Sequence, residues 1–464
     1  MINFTKKRPP VDLTTRKATD INLFNNSRPY MRAFHFSWFT FLTAFTCWFA
    51  VAPLLPSISK SLNLTNSEIG DCNIASVSST ILFRILSGPL CEKFGSRRVM
   101  AGILIIGAIP TALVGLAQGP NSLIALRFFI GILGASFVPC QFVTTQMFNS
   151  NTVGGANALA AGWGDMGGGI TYILMPLVFN LFNKFLSDDI SWRVSMLVPA
   201  FLCIIVGTCC YLFSDDCPDG DWYRRGLNKL DDGSINSNSE LKYSDTKIDE
   251  DSYRIPLVIQ YLLVFINPNV ILMMIMYACC FGVEAAVNNV IAIFFSTEFG
   301  LNQTQAGLIG SLFGLLNFFS RASGGLISDL VNRKMGVRGR FLTQFAFFFF
   351  QGIFLFLFWF MSDSLIMAII LMGCFSLFTQ GCCGTSFSIV PYIDPAAAGI
   401  VTGLVAAGGN IGSLIFAAVF KAYSDDIRMG FMVVGASVIV VSFIPFLMSI
   451  NGRTLIFGTV IRNF

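Results

Sequence analysis

Runs of about 20 apolar residues recur twelve times along this 464-residue chain, and they dictate most of what it can become. A run of that length crosses the ~30 Å hydrocarbon core of a bilayer as an α-helix. Lipid supplies no hydrogen-bond partners for open backbone, so a spanning segment must be a helix or part of a closed barrel. The runs lie near 34–56, 68–91, 99–117, 121–145, 156–182 and 191–213. A second set lies near 258–294, 303–328, 341–362, 364–388, 398–421 and 428–450. The expected fold is an all-α membrane protein of twelve transmembrane helices in two six-helix bundles. Only 12% of residues are charged and 54% are hydrophobic, which excludes an ordinary soluble domain.

The bundles are expected to occupy 34–213 and 258–450. Before them, 1–33 is polar and basic, and the first apolar run is long enough to span rather than to be cleaved as a signal. Between them, 214–257 is rich in Asp, Ser, Asn and Lys and reads as a polar linker. A short segment, 451–464, follows. The first run of the second set is long, and its opening stretch is a candidate for lying outside the membrane. If the N-terminus is cytoplasmic, inside segments hold 22 Lys and Arg and outside loops hold 5. That asymmetry predicts both termini inside; the plasma membrane is the expected location, with the choice of membrane left open by the residues. The sequons at Asn63 and Asn302 then fall in outside loops as glycosylation candidates.

The halves repeat each other. At an offset of 237, Gly70, Arg84, Gly88 and Glu92 match Gly307, Arg321, Gly325 and Asp329. At an offset of 245, Gly164-Asp165-Met166-Gly167 matches Gly409-Asn410-Ile411-Gly412. Parallel repeats of this kind place a transporter's site at the interface of the halves near the midplane. Arg84 and Arg321 sit in apolar helices, where an arginine is costly and normally faces a pathway or a partner. Two related by the repeat suggest a central anion site. A single His, His35, excludes a His-rich metal site, and no metal or other cofactor is expected. The 13 cysteines, with adjacent pairs at Cys209/Cys210, Cys279/Cys280 and Cys382/Cys383, read as small apolar packing residues. The small net charge of +4 gives no reason to expect nucleic acid.

Several stretches resemble family patterns. Gly88–Arg98, with Glu92, Arg97 and Arg98, is similar to the acidic-basic loop of the major facilitator superfamily. Gly325–Asp329 with Arg333, Arg338 and Arg340 resembles its partner in the second half, and Arg127–Gly131 resembles the fourth-helix motif. Ala160–Gly169 and Ala406–Gly412 resemble the fifth- and eleventh-helix motifs of the nitrate/nitrite porters, closest to the eukaryotic high-affinity type. Tyr277–Glu284, with Asn288 and Asn289 following, matches that family too. One departure stands out: the usual Asn of the fifth-helix motif is Asp165. The chain after the last helix is also shorter than the tail common in plant members.

The resemblance implies a transporter of nitrate, with nitrite as a further substrate, working by alternating access and coupled to protons. It is not expected to be an enzyme, since no nucleophile–base set appears. It assigns Arg84 and Arg321 to the anion, Phe137 and Phe281 to the walls of a flat slot, and Tyr277 to a hydroxyl donor. Asp165, Asn410, Gly164 and Gly409 complete the lining. The chemistry suits: nitrate is planar and delocalised, and a guanidinium is planar, always charged and carries paired donors. The competing reading has each arginine paired with a helix carboxylate or carbonyl. Glu284 and Asp165 are the proton-coupling candidates. Glu92, Arg97, Arg98, Arg127, Asp329, Arg333, Arg338 and Arg340 are candidates for a gating latch. Still open are another small anion, nitrate/nitrite exchange, a sensor without transport, and whether an accessory subunit takes part.

Overall fold

The computed structural model describes residues 8–222, 257–301, 303–423, 426–450 and 452–455. The linker from 223 to 256 and Asn302 lie outside the described residues. The first half comprises α1 (Tyr30–Trp48), α2 (Leu55–Leu62), α3 (Asn66–Phe94), α4 (Ser96–Leu113), α5 (Pro120–Ile130), α6 (Phe137–Met147), α7 (Val153–Asn183), α8 (Asp188–Ser195) and α9 (Leu197–Phe213). The second comprises α10 (Leu257–Ile266), α11 (Pro268–Phe299), α12 (Gln303–Leu315), α13 (Asn317–Met335), α14 (Val337–Met361), α15 (Leu365–Ile389), α16 (Ala398–Ala422) and α17 (Ile427–Val441).

Eleven spans among the described residues are long and apolar enough to cross a membrane, against twelve expected. The expected span at 303–328 is interrupted for one residue at Leu316, between α12 and α13, where the Phe313 carbonyl accepts from Ser376 (3.1 Å) and Gln380 (2.5 Å) of α15. Its second part carries Asn317, Ser320, Arg321, Ser323 and Asp329, too polar a face for a lipid-exposed helix. The expected span at 258–294 is also divided. Asn267 caps α11 by accepting a hydrogen bond from the Asn269 N–H (3.0 Å), and Pro268 opens that helix where its missing N–H costs nothing. α10 therefore stands as a separate helix. In the fourth span a 3-10 stretch, Gly131–Ser136, joins α5 to α6. Pro139 leaves the Ala135 carbonyl without its helical partner there.

The repeat is visible in the packing. α7 lies along α1 and crosses to α13 of the other half; α16 lies along α11 and crosses to α3. Small residues allow helices in lipid to approach closely. A Cβ on Gly88 would strike the Gly399 carbonyl, and one on Gly325 would strike the Gly154 carbonyl. The motif glycines divide by direction. Gly164 and Gly167 face α1, and Gly409 and Gly412 face α11, each within its own half. Gly162 meets Asn317 and Arg321, and Gly403 meets Arg84, across the interface.

One end of the molecule is basic and carries the described parts of both termini. Gly95 (φ +84°) turns α3 into α4 and Gly336 (φ +63°) turns α13 into α14, a backbone shape that favours glycine. The segment after α9 folds back onto the first turn. Asp216 accepts from the Arg97 N–H (2.7 Å), and the Trp222 indole donates to the Glu92 carbonyl (2.8 Å). Burial pushes the Asp216 carboxyl above its ordinary range, against the pull of that N–H and of the Arg97 guanidinium. His35 ties the N-terminal segment to α1. It accepts from the Trp38 indole at Nδ1, so its Nε2 proton faces the Asn25 carbonyl (3.0 Å).

Candidate functional site

The two repeated arginines meet at the interface of the halves, both fully buried, in unlike surroundings. Arg84, midway along α3, donates from Nε to the Gly134 carbonyl (3.0 Å) in the 3-10 stretch. It donates from Nη1 to the Ala406 carbonyl (2.9 Å) of α16, across the interface. Its guanidinium carbon lies 5.2 Å from the Phe137 ring centroid and 4.9 Å from that of Phe281. Such cation–π contacts stabilise a desolvated guanidinium by about 0.5–2 kcal/mol. Tyr277 stacks on Phe281 (5.6 Å) and on Phe137 (6.1 Å), and Phe387 closes the cluster edge-on. Gly409 makes room: a Cβ there would strike the rings of Tyr277 and Phe281.

Three donors in this layer have no hydrogen-bond partner among the described residues: Arg84 Nη2, the Tyr277 hydroxyl and Asn410 Nδ2. Asn410 is one helical turn beyond Ala406, whose carbonyl holds Arg84. Buried polar groups are normally paired, and each orphan costs about 1–3 kcal/mol. A cluster of orphans that are all donors fits an anion.

Arg321, on α13, is held by carboxylates. Its Nη2 pairs with Glu284 Oε2 of α11 (2.8 Å), and its Nη1 pairs with Asp165 of α7. Glu284 accepts two further hydrogen bonds, from Asn317 Nδ2 to Oε1 (2.5 Å) and from the Cys383 thiol to Oε2 (3.5 Å). Neither oxygen of Asp165 takes a hydrogen bond from another group among the described residues.

The basic end is closed by two equivalent contacts. Glu92, at the end of α3, accepts from the Gly399 and Ile400 N–H groups (2.9 and 3.3 Å) at the start of α16. Asp329, in α13, accepts from the Gly154 and Gly155 N–H groups (3.2 and 2.5 Å) at the start of α7. Each carboxylate thus satisfies orphan donors and meets the positive end of a helix dipole in the opposite half. Arg340 pairs with Asp329 (2.8 Å) and donates to the Ser150 carbonyl (2.9 Å), which also accepts from the Tyr392 hydroxyl (2.7 Å). Glu92 has no ion pair among the described residues, because Arg97 turns to Asp216 and Asp221.

The major facilitator superfamily model matches residues 37–417. A high affinity nitrate transporter of Arabidopsis thaliana is 36% identical, over 89% of this chain and 78% of its own length. A nitrate transporter of Chlamydomonas reinhardtii is 35% identical, over 90% and 78%. The chain belongs to the nitrate/nitrite porter family of the major facilitator superfamily. A nitrate/nitrite transporter of Nostoc punctiforme is 28% identical over 86% of this porter and 88% of its own chain. The solved proton:xylose symporter superposes with a TM-score of 0.66 at 14% identity, covering 91% of this porter and 98% of that chain. The family is one of membrane transporters and not of enzymes.

In this porter Arg84, Arg321, Tyr277, Phe137, Phe281, Asp165, Glu284, Asn410 and Gly409 come together at the centre. Gly164 does not: its open side faces the Phe41 ring in α1. Glu92, Asp329 and Arg340 meet at the basic end, where Arg98 and Arg333 are exposed and Arg338 is half-buried. Arg127 is elsewhere, donating to the Trp48 carbonyl (3.0 Å) and to Asn73 (3.2 Å) beyond the end of α1. Asn63 is exposed at the end of α2, away from the basic end. Sequence reasoning missed Asn317, Cys383, Phe387 and Tyr392. Only Asn317 carried a signal, one turn before Arg321. Asn288, one turn after Glu284, is exposed, and the amide that reaches Glu284 is Asn317.

Proposed function

We propose that this porter carries nitrate, with nitrite as a second substrate, across a membrane by alternating access, taking up a proton with each anion. The observation that carries this reading is the charge set at the centre: two guanidiniums, Arg84 and Arg321, against two carboxylates, Asp165 and Glu284. With both carboxylates ionised the empty site is neutral. An anion added to it brings one uncompensated charge into a water-poor layer, at an effective cost of several kcal/mol. A proton on one carboxylate restores neutrality and frees one side of Arg321. The anion then bridges that guanidinium and the open donors of Arg84, Tyr277 and Asn410. The arginine clamp of the sequence reading is thus a state of the loaded site. In the empty one the carboxylates stand where the anion binds.

Neutral loading also answers the membrane potential. Drawing a lone anion into a negative interior costs about 2.3 kcal/mol per 100 mV. Nitrate moving with one proton feels none of this, and each unit of pH gradient contributes about 1.4 kcal/mol. The Lys and Arg excess supports a cytoplasmic position for the basic end. Closure there, through Glu92 and Asp329, bars exchange with that end in this conformation.

The test is nitrate uptake by purified protein in liposomes, with pH and voltage set independently. An acidic outside should drive accumulation at zero voltage. Uptake blind to the pH gradient, and accelerated only by nitrite loaded inside, would replace symport by exchange.

A further inference from the structure

We propose that Asp165 is a proton-operated strut between the two halves, and that Glu284 is a positioning residue which keeps its charge through the cycle. This rests on the proton-coupled reading above and assigns its proton to one residue. The two carboxylates on Arg321 differ in what they are attached to. Glu284, Asn317, Cys383 and Arg321 all belong to the second half, so their contacts travel together when the halves rock. Asp165 belongs to the first half, and its pairing with Arg321 must break for the halves to separate at the centre.

They also differ in support. Hydrogen bonds to an ionised carboxylate favour that form. Glu284 receives three donors, the Asn317 amide, the Arg321 guanidinium and the Cys383 thiol. Among the described residues Asp165 has the Arg321 guanidinium alone. An ionised Asp165 parted from Arg321 would be a bare buried charge, and a proton removes that charge. Among the described residues the titratable and charged groups around the pair are Arg321 from α13, Glu284, Tyr277 and Cys280 from α11, Cys383 from α15, Cys140 from α6 and Arg84 from α3. α1 presents the Phe41 and Phe45 side of its helix, and its His35 is engaged with Asn25 and Trp38.

The strut then works as follows. In the empty porter Asp165 occupies Arg321 and the neutral pair closes the centre. A proton on Asp165 releases the guanidinium to the anion, and the loaded site is again neutral. A porter holding only the anion or only the proton carries an unbalanced charge, so neither crosses readily alone. Asn at this position, as in the family pattern, has no such proton to take.

Nitrate affinity is measured across pH 5–8 for wild type and Asp165→Asn, and the slope, not the absolute affinity, is read. One linked proton gives about a tenfold loss of affinity per unit of rising pH where the site is ionised. Wild type should keep that slope, and Asp165→Asn should be flat within about twofold, as one uptake proton is removed; the infrared band of the carboxyl newly protonated on nitrate binding should shift in Asp165→Glu and stay in place in Glu284→Asp. If Asp165→Asn fails to insert, Asp165→Ser provides the second neutral variant. A wild-type slope in either Asp165 variant, or a band that shifts in Glu284→Asp and not in Asp165→Glu, overturns the assignment. A flat wild-type profile overturns the proton-coupled reading itself.

Discussion

Arg84 and Arg321 are the same side chain put to different uses by their neighbours. Arg84 is fixed by two carbonyls and two aromatic faces, none of which cancels its charge. Its planar fork makes both hydrogen bonds while Nη2 stays open, and the point charge of a lysine does not reproduce that geometry. Arg84→Lys should therefore weaken nitrate binding by about 1.5–3 kcal/mol, roughly tenfold to a hundredfold, in a variant that still inserts. Calorimetric titration of nitrate checks this, and unchanged affinity removes Arg84 from the site. Tyr277 makes the opposite point. Its hydroxyl is buried without a partner among the described residues, a cost to the empty fold that a bound anion would relieve. Tyr277→Phe should lower nitrate affinity while leaving the thermal stability of the empty porter equal or higher by about 1 kcal/mol. A melting curve beside a binding curve reads both signs, and a variant less stable when empty would show the hydroxyl paired after all.

At the scale of elements, the closed basic end depends on backbone meeting backbone. Gly325 against Gly154, and Gly88 against Gly399, bring the crossing helices close enough for Asp329 and Glu92 to reach the opposite helix starts. Gly325→Ala should force α13 from α7 and destabilise closure by about 1–3 kcal/mol, the usual penalty of overpacking. Spin-label distances across the basic end should lengthen and broaden; a distribution like that of wild type contradicts the role given to this crossing. The segment after α9 is a smaller device on the same end. Asp216→Ala strands the Arg97 N–H and should cost about 1–3 kcal/mol of thermal stability, whereas Asp216→Asn, which keeps an acceptor, should cost less. Equal losses in the two variants would show the charge rather than the acceptor to be what matters.

On the scale of the whole molecule, the spans, the repeat and the central arginines were legible in the sequence, because apolar run length and internal offset are one-dimensional signals. The break at Pro268 was legible in principle, since proline opens helices. The interruption at Leu316 was not, as the Phe313 carbonyl there accepts from Ser376 and Gln380 of α15, a contact that no local pattern shows. Glu284 and Asp165 stood out as intramembrane acids. That both would close on Arg321 was hidden, because the three come from different helices and no periodicity links them. That meeting changes the charge arithmetic of the site: counting Asp165 alone gives an empty site of +1, while counting Glu284 as well gives a neutral one. A neutral empty site cannot take an anion without a proton, and this is the central claim. Its most direct measurement is the number of protons taken up per nitrate bound by purified porter at neutral pH. Titration calorimetry in buffers of different ionisation enthalpy gives that number. The account predicts about one proton per nitrate from the linkage of a single group. Nitrate binding with no proton uptake would contradict it.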